Sequence, residues 1–320
     1  MKYFVTGGAG FIGSHIVEKL IEQNLEVIVY DNFSTGKIKY LENLINNKNL
    51  NVIEGDLLDK DLLFKSMENI HTVFHIAANA DVRNSFVDPN KDFCQNLLAT
   101  FNVLESMRIN NCKKIIFSST AAALGEPEIF PTPENCPIPK QTSIYGASKI
   151  GAEAIISAYC EGYKLEGYSF RFVSLLGPRY PHGHVYDFVK QLLSNPNELS
   201  VLGDGSQKKS FLNIEDCIEA IFLVSNVNLS SNDQGCSYQV FNLGNLEYVT
   251  IKDSISFICS EMKVNPNIKY GFGSRGWTGD SPFVFLDTSK IQSRGWKPKH
   301  NIESSVKQTV KWLLNNQWIF

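Results

Sequence analysis

The stretch Lys2-Tyr3-Phe4-Val5-Thr6-Gly7-Gly8-Ala9-Gly10-Phe11-Ile12-Gly13 decides the fold. Tyr3–Thr6 is a β-type run that stops at Gly7. Ile12, Ile16, Val17, Leu20 and Ile21 then recur at helical spacing and mark an amphipathic helix. Gly7, Gly10 and Gly13 occupy the turn between them. Small residues are needed there for the tight turn, for close approach of pyrophosphate oxygens and for helix–strand packing. The helix start adds N–H groups and the positive end of the dipole. Glycines alone are a weak sign, but here a strand precedes them and a helix follows. The next apolar run, Val27–Tyr30, ends on an acidic residue, Asp31. A carboxylate at that place accepts from adenosine ribose hydroxyls and repels a 2′-phosphate, which points to NAD rather than NADP.

Further short apolar runs follow at Val52-Ile53, Val73–Ile76 and Ile115–Phe117, with helical patterns between them such as Asn96–Arg108. Strands alternating with helices predict an α/β fold with a doubly wound parallel sheet. After about Ser174 the pattern becomes irregular, with loops at Gly177-Pro178, Pro181–His184, Leu202–Gly205 and Gly271–Asp280. A final amphipathic helix is expected from Ile302 to about Trp318. The chain is accordingly read as a Rossmann-type NAD domain over residues 1–172, to which 205–245 returns. A smaller mixed α/β substrate-binding domain comprises 173–204 and 246–320.

The remaining composition narrows the function by exclusion. The 320 residues are 43% hydrophobic and 20% charged, which excludes a disordered or fibrous chain. The net charge is -3 and no basic run stands out, which argues against a nucleic-acid surface. No window approaches the ~20 apolar residues of a membrane span. The seven cysteines are odd in number and contain no C-x-x-C pair. They read as reduced thiols in a cytoplasmic protein rather than a disulfide framework or a metal site.

Two polar clusters suggest chemistry. In Tyr145-Gly146-Ala147-Ser148-Lys149, a phenol and an ammonium four residues apart share a helix face. A nearby cation stabilises phenolate, so Lys149 is expected to lower the pKa of Tyr145 and equip it to take a proton from a hydroxyl. A solvated helix face has the same spacing. Ser118-Ser119-Thr120 follows the strand Ile115–Phe117, at a strand end where α/β folds bind ligands and where polar caps also occur. Asp56, after a third strand, either binds adenine or caps a turn.

With these motifs in order, the sequence resembles the extended short-chain dehydrogenases/reductases, specifically nucleotide-sugar epimerases and dehydratases. The resemblance rests on GGAGFIG at Gly7–Gly13, DNFSTG at Asp31–Gly36, GDLLD at Gly55–Asp59 and HIAANADVRNS at His75–Ser85. It continues through FSST at Phe117–Thr120, YGASK at Tyr145–Lys149, GDGSQKKSF at Gly203–Phe211 and FNLG at Phe241–Gly244. It implies Tyr145 as base toward a sugar 4-hydroxyl, Lys149 on the nicotinamide ribose and Thr120 on the sugar 4-oxygen. It implies NAD held by Gly7, Gly10, Phe11, Ile12, Gly13, Asp31, Asn32, Ser34, Thr35 and Gly36. Asp56, Leu57, Ala77, Ala78, Asn96 and Ser118 complete that set with Tyr145 and Lys149. Arg83, Ser174, Arg179, Lys209 and Arg275 are the implied substrate residues, the last three as cations for a diphosphate or else as plain surface charges. No metal is implied. The partner is a GDP- or UDP-linked sugar, and a homodimer is expected through the helices carrying Leu97, Phe101, Ile150 and Ala154.

The same resemblance leaves the fate of the 4-keto sugar open. Dehydratases of the family carry Asp-Glu directly after the Thr; Ala121-Ala122 stand here, and alanine moves no protons. Ala123-Leu124-Gly125 replaces the usual Val-Tyr-Gly and either makes room for a larger sugar or merely repacks. Ser174 replaces a usual Asn, and Lys209-Ser210 a usual Arg-Asp. These departures suggest a nucleotide-sugar 4-dehydrogenase or 4-epimerase of capsule or lipopolysaccharide biosynthesis, with similarity to GDP-manno-heptose 4-dehydrogenases. The alternatives are a UDP-glucose/UDP-N-acetylglucosamine 4-epimerase and, outside catalysis, an NAD-sensing scaffold.

Overall fold

The computed structural model describes residues 1–138, 140–225 and 238–320. Contacts divide it into two compact units. The first is Met1–Leu124, Ser143–Arg171 and Ile221–Phe241; the second is Gly125–Thr142, Phe172–Ala220 and Asn242–Phe320.

The first unit is built around a seven-stranded sheet. Its elements in chain order are β1 (Lys2–Thr6), α1 (Phe11–Glu22), β2 (Glu26–Asp31), β3 (Leu50–Glu54), α2 (Lys60–Ser66), β4 (Thr72–His75), α3 (Pro89–Asp92), α4 (Ala99–Ile109), β5 (Lys114–Thr120), α5 (Ile144–Tyr163) and β6 (Glu166–Phe172). The strand order is β11-β6-β5-β4-β1-β2-β3, where β11 is Tyr238–Leu243. The pairs β1–β2, β1–β4, β2–β3 and β4–β5 are parallel. The order runs outward from β1 in both directions, so the connections reverse between β1 and β4. An open α/β sheet binds ligands at such a reversal, at the carboxyl ends of the strands. Phe4, Val73, Val103, Leu104, Ile115, Phe117, Ala152 and Ile156 belong to one buried cluster that joins the sheet to its covering helices. α3 continues into a π-helical turn, Phe93–Leu98, before α4 begins.

The second unit contains β7 (Ser174–Leu176), α6 (His184–Ser194), β8 (Glu198–Val201), β9 (Lys208-Lys209), β10 (Phe211–Asn213) and α7 (Ile214–Ser225), whose last turns belong to the first unit. It goes on with β12 (Val249-Thr250), α8 (Ile251–Met262), β13 (Asn267–Tyr270), β14 (Phe283-Val284), α9 (Ser289–Gln292) and α10 (Ile302–Asn315). Small sheets β10-β7, β13-β8 and β12-β9-β14 tie these pieces together. The terminal helix ends at Asn315, and a 3₁₀ turn, Gln317–Ile319, follows it in place of further α-helix.

The division departs from the sequence reading in two places. Residues 125–142, read as part of the NAD domain, pack with the second unit. The reason is non-local: Thr132 N donates to Phe285 O at 2.9 Å, and Asn242 Nδ2 donates to Thr132 O at 2.9 Å. Of the segment 205–245, only Ile221–Phe241 belongs to the first unit. Residues 226–237 of that segment, with Cys236, lie outside the described residues. The six cysteines among the described residues form no disulfide. No helix among them is long and apolar enough to cross a membrane, and no group of three or more His, Cys, Asp or Glu among them is placed to hold a metal ion.

Candidate active site

The glycine turn is shaped by contact with β4's end. Gly7 has φ +67, and a Cβ there would stand 2.8 Å from the Ala77 backbone. A Cβ on Gly13 would stand 2.1 Å from the Gly7 carbonyl oxygen. Any side chain at either place collides with main chain, so the loop keeps a bare backbone at the sheet's reversal point. No side chain caps α1 at Gly10, and its first turn carries no acidic residue. The helix start is therefore left with its positive dipole end for an anion.

Asp31 closes this turn from the side. Its Oδ2 accepts from Ala9 N and its Oδ1 from Phe33 N, both at 2.9 Å. Burial pushes its carboxyl up and these two bonds oppose the rise. Each oxygen retains a lone pair, which is what two vicinal ribose hydroxyls need. Gly36 lies against it: a Cβ there would come within 2.7 Å of Asp31 Oδ1. Asn32, Ser34 and Asp56 form one chain of bonds, with Asn32 Nδ2 donating to Asp56 Oδ2 at 2.8 Å and Ser34 Oγ to Asn32 Oδ1 at 2.7 Å. Asp56 also caps its own turn, accepting from Leu58 N at 2.9 Å. Thr35 is exposed beside this chain, and Leu57 is core. The bare turn, the uncapped helix start and the buried carboxylate fit a dinucleotide.

Ala77 and Ala78 follow β4, and Ser118 Oγ stands 3.3 Å from both the His75 and Ile76 carbonyl oxygens. Asn96 sits in the π-helical turn, 2% exposed, and holds Asn79 N through its Oδ1 at 2.8 Å. Phe11 and Ile12 open α1.

Thr120 ends β5 beside the Tyr145 hydroxyl, and its Oγ1 accepts from Ala122 N at 3.1 Å. Ser143 caps α5 by accepting from Gly146 N at 3.0 Å, which fixes the turn that carries Tyr145. Burial pushes the Tyr145 phenol up to about 12, and the neighbouring Thr120 hydroxyl works against that rise. This differs from the expected lowering by Lys149. The Lys149 ammonium lies instead over the Phe117 ring, 4.2 Å from its centroid, and burial drops its pKa to about 7. Its charge is thus itself marginal in the protein alone and is supported by Glu153, one turn further on. The sequence reading missed Glu153, although its i+4 spacing from Lys149 was visible.

The other substrate-side residues are found as follows. Arg83 lies in a 3₁₀ turn, Val82–Asn84, of the first unit. In the second unit Ser174 starts β7 and is exposed, and Arg179 has φ +68. Lys209 Nζ donates to Asp280 Oδ1 at 2.7 Å and to the Ser281 carbonyl. Arg275 pairs with Glu126 and donates to Asp280 O at 2.6 Å. The structure thus brings Lys209 and Arg275 together around Asp280. Ala121 and Ala122 begin a 3₁₀ turn after Thr120, while Ala123 and Leu124 are 0% and 1% exposed. The Leu124 side chain fills core, which supports repacking over added room.

A family profile for the NAD dependent epimerase/dehydratase family matches residues 3–244. The chain belongs to this family. It is 34% identical over 318 residues to a putative UDP-glucose 4-epimerase of Methanocaldococcus jannaschii, covering 98% of each chain. It resembles the structure of Thermotoga maritima UDP-glucose 4-epimerase with UDP-glucose, at a TM-score of 0.87 and 30% identity over 99% of this chain and 100% of that one. It also resembles the Thermus thermophilus UDP-glucose 4-epimerase complex with NAD, at 0.85 and 32%, over 98% and 99%. As an epimerase/dehydratase family member, the protein is an NAD-dependent enzyme of the extended short-chain dehydrogenase type with a Rossmann-type fold.

Proposed function

We propose that this enzyme is a nucleotide-sugar 4-epimerase acting on a UDP-linked sugar. The observation that carries the reading is Thr120 at the end of β5 beside the buried Tyr145 phenol, with Lys149 buried one turn along the same helix. The relatives named UDP-glucose 4-epimerase support the sugar class. When bound, NAD would supply the hydride acceptor for C4 and the donor to the opposite face of the 4-keto carbon. Tyr145 takes the 4-hydroxyl proton and later gives it back, and Thr120 holds the 4-oxygen in line with the phenol. Lys149 holds the nicotinamide ribose. Gly7, Gly10 and Gly13 admit the pyrophosphate, and Asp31 binds the adenosine ribose. Arg83, Ser174, Arg179, Lys209 and Arg275 act on the substrate. Ala121 and Ala122 offer no acid or base for eliminating water, which disfavours a dehydratase.

A second reading is a 4-dehydrogenase that releases the 4-keto sugar, with a GDP-linked heptose as substrate. Its support is Lys209, which presents a point charge bound to Asp280 where the resemblance has an arginine fork. We further propose a homodimer through α4 and α5, where Phe101 and Tyr163 are 37% and 47% exposed. One experiment separates the readings. The enzyme is mixed with a panel of UDP- and GDP-sugars, absorbance is scanned for NADH, and products are identified. C4 epimers without net NADH support the epimerase; stoichiometric NADH with a 4-keto product supports the dehydrogenase. No product with any sugar overturns both.

A further inference from the structure

Tyr145 is the second residue of α5, where a helix has no partner of its own for the backbone N–H. That N–H donates to Ser85 Oγ at 2.8 Å, and Ser85 Oγ donates in turn to Asp92 Oδ2 at 2.5 Å. The Tyr145 carbonyl accepts from Ser148 Oγ at 2.8 Å. Ser148 Oγ accepts from Asn96 Nδ2 at 3.0 Å, and the same amide reaches Asp92 Oδ1 at 3.4 Å. Both backbone groups of Tyr145 are therefore traced to one carboxylate. Asp92 is 0% exposed and Ser85 1%. Its hydrogen-bond partners are Ser85, Asn96 and Asn79, the last at 2.7 Å. All three are neutral, so they solvate the carboxylate charge without cancelling it. Burying a charge in this way is costly unless something is gained from it.

We propose that Asp92 is a positioning residue for Tyr145. Through Ser85 and Asn96 it fixes the first turn of α5 and with it the backbone that carries the phenol. The inference rests on the reading of Tyr145 as the base. Burial is the main cause of the high phenol pKa, and Asp92 adds to it. The elements packed on α5 bring other ionisable groups: Lys91 on α3, Cys94 on the π-helical turn, Glu105 and Arg108 on α4, and Lys114 on β5. Arg108 is bound to Glu105 and Lys114 to Glu166, so their charges are largely spent locally. On α5 itself, Lys149 and Glu153 lie further along the helix.

The test places a fluorinated tyrosine, whose phenol ionises at lower pH, at position 145 of the full-length NAD-loaded protein. Its ¹⁹F resonance is followed against pH. With Asp92→Asn the midpoint is expected to fall. An unchanged or higher midpoint overturns the charge role. Ser85→Ala keeps the carboxylate, so its midpoint is expected to hold or rise while the Tyr145 amide exchanges hydrogen faster. A fall in that variant's midpoint, or unchanged exchange, overturns the proposal even where Asp92→Asn does not fold. Turnover by Tyr145→Phe sinks the base assignment separately and leaves this titration interpretable.

Discussion

Glu153 grips Arg171 through two parallel hydrogen bonds, Nε to Oε1 at 2.9 Å and Nη2 to Oε2 at 2.7 Å, with both side chains almost wholly buried. Ser119 donates a further bond to the same carboxylate. The group joins the end of β5, the middle of α5 and β6, and it puts a negative charge one turn beyond Lys149. Removing one partner of a buried pair leaves the other charge uncompensated, at a cost of about 3–5 kcal/mol. Glu153→Ala is accordingly expected to lose that much in urea unfolding. Arg171→Met with Glu153→Met should recover most of it, and a double variant as unstable as Glu153→Ala would show that the charges are not the cause.

Tyr145→Phe should keep the fold and NAD, because the ring that fills core is retained and only the hydroxyl beside Thr120 is lost. Loss of a general acid–base group costs about 10²–10⁴-fold in rate. The check is turnover on whichever sugar nucleotide the panel identifies, with NAD content measured on the same sample. Undiminished turnover would remove Tyr145 from the chemistry.

Lys149 offers a contrasting case. Its ammonium is 2% exposed over the Phe117 ring, and burial drops its pKa to about 7 from 10.5. Between these values the unfolded chain binds a proton that the folded protein does not, so this group's contribution favours folding increasingly as pH rises through that window. Below it, the buried charge weighs against folding. Lys149→Met should therefore raise the urea midpoint below pH 7 while abolishing activity, a trade expected where a site keeps a costly group for its function. A variant less stable than the parent at low pH would show that Lys149 is structural.

Gly13→Ala tests the cofactor turn. The added Cβ would stand 2.1 Å from the Gly7 carbonyl oxygen and 2.8 Å from Gly8 Cα, both main-chain atoms with no rotamer to yield. The turn must open to admit it, so NAD binding should fall steeply. Calorimetric titration with NAD reads this directly, and wild-type affinity would mean that the turn does not bind the pyrophosphate.

Much of this was legible from spacing. The strands at Tyr3–Thr6, Val27–Tyr30 and Ile115–Phe117 are continuous apolar runs because the parallel sheet buries both faces, and Tyr145 with Lys149 follows helical periodicity. The π-helical turn at Phe93–Leu98 was not legible, since shifting a helix by one hydrogen bond leaves no mark in residue type. The allegiance of 125–142 was hidden because it depends on partners more than a hundred residues away, such as Asn242. Asp92 and Ser85 are seven residues apart, and only the fold turns an ordinary Asp and Ser into a bonded pair beneath Tyr145.

His75 yields the sharpest pH prediction. Thr100 Oγ1 donates to Asn96 O at 2.6 Å, so toward His75 Nε2, 2.9 Å away, it can only accept. The proton is therefore on Nε2, and Nδ1 accepts from Thr6 Oγ1 at 2.8 Å. A second proton has no acceptor there, and burial with the Lys149 charge drops the pKa to about 3 from 6.5. Because the folded pKa is the lower one, the unfolded chain binds the extra proton between those values. Stability from this group is complete above pH 6.5 and drains away as pH falls toward 3, at about 1.4 kcal/mol per pH unit. Urea unfolding across that window, compared between the parent and His75→Gln, isolates it from the carboxylates. The parent should lose stability faster on acidification, and equal slopes would mean that His75 is protonated in the native state.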